Sequence, residues 1–413
     1  MIVFDVSRLI ARAGRVTPTG IDRVELAYAR HLIAGTEALG FARVTRYGRF
    51  ALLPRPAVER YIAALAILWR DGASMRHRRR VRWAIMHLRF ASLSRGRALP
   101  GDTSRDTHQA IYLLVSHHHL ENRHLIARIK NRYGMRFVCL IHDLIPIEFP
   151  EYARPGQDAR HRRRIATVRA LADAVIVPSI ATGEALRGDR CLRMLTSPFG
   201  VDLPAGGAPQ SDPAERPYFV CLGTIAPHKN HLLLLNLWRD FVRRLHGQAP
   251  ALVLIGRRGW EIENTIDMLD RCPGLRGVVL ERSKLPDAEV VRLVKNARAL
   301  LLPSHAEGFG FPLIEALVFG TPVLCSDIPP LHEIGGDVPE YFDPLDCSAW
   351  RAAVLDYALD PSPRREAQLQ RLAAWQPPRW TDHFAAVDAL IAELEMAPDQ
   401  CFYQPVARPN RLQ

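Results

Sequence analysis

The sequence predicts an α/β protein built from two doubly wound domains. Three observations carry this expectation: a length that calls for more than one core, short apolar runs alternating with helix-length stretches, and a Gly- and Pro-rich interruption near the middle. At 413 residues, 48% of them hydrophobic, the chain can bury a large apolar surface, yet single cores stop growing beyond roughly 250–300 residues. In the N-terminal half, Ile2 to Val6, Ile111 to Ser116, Phe137 to Ile141, Ala174 to Pro178 and Arg193 to Ser197 read as strands. The C-terminal half is more regular, with Tyr218 to Gly223, Ala251 to Gly256, Gly277 to Glu281, Ala297 to Ser304 and Pro322 to Ser326. Stretches such as Asn230 to Leu245 and Asp287 to Asn296 have the length of crossover helices, the pattern of parallel units rather than of an antiparallel sandwich. The interruption is "GVDLPAGGAPQSDPAERP", residues 200–217, where both apolar patterns stop. It divides the chain into expected domains 1–205 and 206–413, with a ligand crevice expected between them.

The densest chemistry lies in the C-terminal half. In "HAEGFGFPLIEALVFGTPV", residues 305–323, Glu307 follows the carboxyl end of an apolar strand and Glu315 falls in the helix that comes next. Gly308 and Gly310 admit backbone conformations that a side chain penalises, and Pro312 suits a first helical turn. The helix is expected from about Pro312 to Phe319, ended by Gly320 and Pro322. In open α/β sheets ligands bind beyond the carboxyl ends of strands. Free amides at the helix start suit a phosphate, and carboxylates suit sugar or ribose hydroxyls. The plainer alternative makes Glu315 a helix-dipole partner and Glu307 a solvated loop acid. A second constellation, "YFVCLGTIAPHKN" (218–230), runs a strand into Gly223 and Thr224, then sets His228 and Lys229 before a helix. A lysine there is either ordinary surface charge or a phosphate contact.

Four strings, "TPTGIDRVELAYARHL", "CLIHDLIPIEFPE", "GTIAPHKN" and "EGFGFPLIEALVFGTPV", resemble the retaining glycosyltransferases of family four, and the resemblance covers most of the chain. It implies the GT-B architecture, two Rossmann-like domains facing across a cleft, with the C-terminal helix returning toward the N-terminal domain. By that resemblance Lys229 contacts the donor diphosphate, Glu307 the hydroxyls of the transferred sugar, and Glu315 the nucleotide ribose. Gly308, Phe309 and Gly310 present backbone to the sugar, and the amides around Phe311 and Leu313 approach phosphate. His142 faces the donor sugar, and Gly20 permits close approach by donor or acceptor. Two positions depart from the pattern: His228 and Thr224 stand where many relatives carry arginine. The implied reaction is metal-independent transfer of a hexosyl group with retention. GDP-mannose is the expected donor, no cofactor or metal is expected, and the acceptor is a glycan or polyprenyl-diphosphate-linked oligosaccharide in exopolysaccharide, capsule or lipopolysaccharide synthesis. No Asp-x-Asp triplet occurs in the chain. A nonenzymatic sugar-nucleotide-binding module and a nucleotide-sugar epimerase of similar fold are the rival readings.

In the N-terminal half, Gly20 also fits a plain helix entry, and His142 and Asp143 follow a strand but could serve packing. His117, His118 and His119 form a strand-end cluster that suggests metal or acceptor contact, yet no cysteine or acid pattern completes a metal set. Cys139, Cys191, Cys221, Cys272, Cys325, Cys347 and Cys401 are scattered, which suits a reducing compartment and cytoplasmic residence. The start reads as a strand rather than a secretory signal, and no apolar run is long enough for a membrane span. The net charge of +12 is concentrated in "SMRHRRRVRWAIMHLRFASLSRGR", residues 74–97, whose apolar residues form no single clean stripe. With "YIAALAILW" (61–69) adding expected hydrophobic exposure, the segment suits a peripheral anionic membrane surface, or packing against the N-terminal sheet. Nucleic acid is not expected, because no reading motif accompanies the arginines.

Overall fold

The structure, a computed structural model, describes residues 1–45, 47–72, 74–91, 110–188, 192–201 and 216–396, with the side chains of 89–91 excepted. The expected boundary at 205/206, most of the 200–217 interruption, the 92–97 end of the arginine-rich stretch, Cys191 and Cys401 lie outside these residues. The chain forms two units. One comprises Met1–Leu144, Ala159–Phe199 and Thr381–Gln413, and the other Ile145–Asp158 and Gly200–Trp380.

The first unit holds a seven-stranded sheet in the order β3-β2-β1-β4-β5-β6-β7. Its strands are β1 (Ile2–Asp5), β2 (Leu39–Val44), β3 (Phe50–Leu53), β4 (Ile111–Leu114), β5 (Arg136–Leu140), β6 (Ala174–Val177) and β7 (Met194–Thr196). All neighbours are parallel except β2 and β3. β1, β4 and β6 are buried at every position, so they read as continuous apolar runs without alternation. Strand order reverses between β1 and β4, the usual place for a ligand crevice. The helix Trp380–Met396 buries Phe384, Val387, Leu390, Ile391 and Leu394, and its His383 hydrogen-bonds the buried Tyr28 hydroxyl at 2.7 Å.

One expectation for this unit is corrected. Residues 61–69 are not an exposed apolar surface: the helix Arg55–Asp71 buries Tyr61, Ile62, Ala64, Leu65, Leu68 and Trp69. The apolar residues of the arginine-rich segment divide, as expected, between a buried face and the exposed Trp83 and Met86. In the helix Met75–Ala91, Val81, Ala84, Ile85 and Leu88 are buried at the i, i+3, i+4, i+7 spacing of one helical face, and this helix packs on Arg55–Asp71.

The second unit holds a six-stranded, fully parallel sheet in the order β10-β9-β8-β11-β12-β13. Its strands are β8 (Tyr218–Leu222), β9 (Ala251–Ile255), β10 (Val279–Arg282), β11 (Leu300–Leu302), β12 (Val323–Ser326) and β13 (Glu340–Phe342). One face is filled by Phe219, Trp238, Phe241, Trp350 and Tyr357, all essentially buried. Order reverses between β8 and β11, which are paired through Val220 and Leu300. Loops leaving the carboxyl ends of these two strands are therefore neighbours.

Candidate active site

The β8 and β11 loops carry Lys229 and Glu307. After β8, Gly223 adopts φ +139°, a region open to glycine, and the chain passes through Thr224 to a 3-10 turn, Pro227–Lys229. Asn230, at φ 53°, leads into the helix His231–Leu245 and donates to the Pro344 carbonyl at 2.9 Å. After β11, Ser304 is fully buried, and its hydroxyl donates to Glu307 Oε1 at 2.7 Å. Lys229 Nζ donates to the same oxygen, in an ion pair whose side chains are 14% and 8% exposed. Burial pushes the Glu307 carboxyl up, but Lys229, His228 and the Ser304 hydroxyl outweigh it and hold the group below its ordinary value. Glu307 is thus a buried anion rather than a solvated loop acid.

The remaining glycine-rich motif is built as the spacing predicts. Gly310 has φ +100°, and a Cβ there would lie 2.6 Å from Leu331 Cδ2. The helix runs Phe311–Val318 with Pro312 in its first turn, one residue earlier than expected, and Gly320 follows at φ +79°. Glu315 is half-buried within this helix, while Leu313 is buried and its N–H donates to the Gly310 carbonyl at 3.0 Å. Phe309 and Phe311 pack edge to face with ring centres 5.1 Å apart.

Sequence reasoning missed several residues that shape this site. Ser304 sits three before Glu307, a Ser-x-x-Glu spacing that could have flagged it. Gly256 and Gly259 let the loop after β9 lie against Gly223–Ile225: a Cβ on Gly256 would sit 1.7 Å from the Gly223 carbonyl oxygen, and one on Gly259 2.4 Å from that of Ile225. Arg258 in this loop is committed to Asp270 (2.5 Å) and Glu281 (2.9 Å).

In the first unit, His142 follows β5 and is 6% exposed. Its Nε2–H donates to the Val115 carbonyl at 2.8 Å, which leaves the ring lone pair on Nδ1, and its backbone N–H donates to His117 Nε2 at 3.3 Å. The triple-histidine run splits. His117 turns toward His142 and His161, with ring centres 5.4 and 5.0 Å away, while His118 and His119 pack on each other at 4.4 Å. Among the described residues no group of three His, Cys, Asp or Glu is arranged to hold a metal ion. Gly20 is the first residue of the helix Gly20–Gly35, capped by Thr19 in a box with Asp22, so it lies at a helix entry rather than in the loop. Sequence reasoning also missed Arg8, whose Nε donates to Asp22 Oδ1 at 2.8 Å and Nη2 to Thr19 Oγ1 at 3.2 Å.

Burial sets the titration of these histidines. It is the largest cause holding His142, His161, His228 and His383 at about 4 and His231 at about 3, against an ordinary 6.5. The unfolded chain takes up protons on these rings below 6.5 while the folded chain does not until near 4, so folding stability is full above that range and is lost as pH falls through it. The melting temperature is expected to drop steeply between about pH 6.5 and pH 4.5. Calorimetry across that range checks this, and a flat profile would show the rings are not neutral in the fold.

The chain matches known protein families over parts of its length. Residues 208–366, which contain Lys229, Glu307 and Glu315, match the family described as Glycosyl transferases group 1. Residues 116–194, which contain His142, match the Glucosyltransferase 3-like, N-terminal domain. The chain is 27% identical over 228 residues to the serotype-specific mannosyltransferase WbdA of Escherichia coli, covering 50% of this chain and 28% of that protein. It is 34% identical over 164 residues to the O-antigen chain mannosyltransferase B of Escherichia coli, covering 40% and 42%. The chain thus spans less than half the length of these relatives. Among solved structures, Anabaena Alr3699/HepE in complex with UDP-glucose aligns over 95% of this chain and 99% of its own, with TM-score 0.62 and 14% identity. Sucrose-phosphate synthase from Thermosynechococcus elongatus aligns over 69% and 73%, with TM-score 0.52 and 19% identity. Sheet order and these solved structures give the chain the GT-B fold, and over residues 208–366 it is similar to the glycosyl transferases group 1, with O-antigen mannosyltransferases among its relatives.

Proposed function

We propose that the protein transfers a hexosyl group, with retention and without a metal ion, from a nucleotide sugar to a glycan or lipid-linked oligosaccharide of a cell-surface polysaccharide. The observation that carries this is the buried Lys229–Glu307 pair at the β8/β11 reversal. Lys229 and the start of the helix Phe311–Val318 meet the diphosphate and stabilise charge that builds on it as the glycosidic bond breaks. Glu307 orients the sugar through its hydroxyls, and Glu315 holds the ribose. The acceptor hydroxyl approaches the face from which the nucleoside diphosphate departs and gives its proton to the leaving phosphate oxygen. In the first unit, Gly20, on the resemblance, and His142, on the resemblance and its place after β5, are proposed ligand-side residues.

GDP-mannose is the proposed donor, supported by the mannosyltransferase relatives; the glucosyltransferase-like match over 116–194 makes glucose the rival. A screen of GDP-, UDP-, ADP- and dTDP-linked sugars with lipid-linked acceptors tests this. Acceptor-dependent release of GDP is expected, unchanged by a chelator. Sole turnover of another nucleotide would replace the donor, and conversion of the donor without acceptor would favour an epimerase.

The proposed location is the cytoplasmic face of a membrane. Among the described residues no helix is long and apolar enough to cross one. The helix Met75–Ala91 contains no acidic residue, and Arg76, Arg78, Arg79, Arg80 and Arg82 are all exposed beside Trp83 (53% exposed) and Met86 (50%). Cationic and amphipathic side chains on one surface suit anionic phospholipid. At about 1 kcal/mol per arginine, replacing Arg78, Arg79 and Arg80 by glutamine is expected to weaken binding to anionic vesicles about a hundredfold at low salt. Transfer to a lipid-linked acceptor falls with it, and transfer to a truncated soluble acceptor does not. Unchanged vesicle binding in cosedimentation would remove the membrane from the account.

A further inference from the structure

The residues Ile145–Asp158 follow His142 closely in sequence yet cluster with the second unit. They form two tight turns, Ile145–Glu148 and Pro150–Tyr152. Phe149 stacks on Tyr152 with ring centres 6.1 Å apart, and Tyr152 stacks in turn on His305 at 5.1 Å and 11°. Trp260, in the loop after β9, donates from Nε1 to the Tyr152 carbonyl at 3.3 Å. The Arg154 guanidinium lies 5.2 Å from the Trp260 ring centre, and the centre of the His228 ring lies 6.3 Å from it with the two planes tilted by 36°. The circuit closes through the backbone, where the His305 N–H donates to the His228 carbonyl at 2.7 Å.

The two histidines adjoin the donor residues: His228 immediately precedes Lys229, and His305 stands two before Glu307. We propose that Tyr152, on this segment, and Trp260 are positioning residues that brace the β8 and β11 loops and so hold Lys229 and Glu307 at their working separation. The proposal rests on the reading of Lys229 and Glu307 as donor residues. The bond between His305 and His228 ties one loop to the other, and the Tyr152 ring and Trp260 fix that tie from the side of the segment. Ring stacking adds only a small increment beyond burial, too little to decide whether the domain folds. A misplacement of about 1 Å in a site of this kind can cost up to about a hundredfold in rate.

Tyr152→Ala and Tyr152→Leu, the second retaining bulk without a ring, are expected to lower kcat ten- to a hundredfold with the donor KM changed less than about threefold. Tyr152→Phe keeps the stack and is expected to stay within about twofold of the parent. The double variant Tyr152→Ala/His305→Ala is expected to lose no more than the worse single one, since both remove one contact. Hydrogen exchange of peptides covering 226–231 and 304–310 is expected to speed up in Tyr152→Ala and not in Tyr152→Phe. Normal kcat in Tyr152→Ala, equal damage in Tyr152→Phe, or additive losses would overturn the brace. If the parent turns over no nucleotide sugar, the donor reading fails, while unchanged exchange in Tyr152→Ala fails the brace independently.

Discussion

Lys229→Ala is expected to cost both turnover and stability. Removing a charge donor aimed at developing charge on a leaving group lowers rates by about 10²- to 10³-fold, and Lys229 is proposed as that donor to the diphosphate. Its partner Glu307 is nearly sealed from water, so truncating the lysine leaves a buried carboxylate that keeps the Ser304 hydroxyl but has lost its cation. Breaking a buried pair in this way costs about 3–5 kcal/mol. The double variant Lys229→Ala/Glu307→Gln removes the uncompensated charge and is expected to regain most of that stability without regaining activity. Denaturant unfolding and nucleoside diphosphate release, measured on all three proteins, separate the two roles. A folded Lys229→Ala protein with the parent's transfer rate would take the residue out of the site.

Glu307→Gln is the second large effect. Glutamine keeps the outline of the side chain and an acceptor oxygen but not the charge. Hydrogen bonds to charged groups are worth about 1.5–3 kcal/mol, so loss of the charged acceptor is expected to slow transfer about 10- to 100-fold. Lys229 loses its ion-pair partner but keeps its charge for the diphosphate, so affinity for the free nucleoside diphosphate should stay within a few-fold. Calorimetry with the nucleotide and steady-state kinetics with the intact donor check this. Equal loss of nucleotide affinity would place Glu307 in phosphate binding instead of sugar orientation.

The strands legible in the sequence were those buried on both faces. Phe137 to Ile141 and Ala251 to Gly256 appear as β5 and β9 almost residue for residue, because a parallel strand covered on both sides must be apolar throughout. β3 and β13 escaped because they are short edge strands whose positions are mostly half-buried, and β2 because Gly40 and Arg43 interrupt its apolar run. The loop residues after β8 and β11 were legible since glycine, proline and charged residues at strand ends have few structural reasons to occur together. Their meeting was not, because the pairing of β8 with β11 follows from strand order. Trp260, Tyr152 and His305 had no local signature at all: their relation exists only once three distant segments fold together. The apolar stretch 61–69 misled for a related reason, since the face that covers it is supplied by the arginine-rich helix itself.

Sugar transfer with retention at the Lys229–Glu307 site is tested by the anomeric configuration of the new linkage, read by NMR on product made from GDP-α-mannose and a lipid-linked or truncated glycan acceptor, with Lys229→Ala as the control. An α-linked mannoside formed by the parent and absent from the control is the predicted result. A β-linked product, or α-linked product formed equally well by the Lys229→Ala protein, would contradict it.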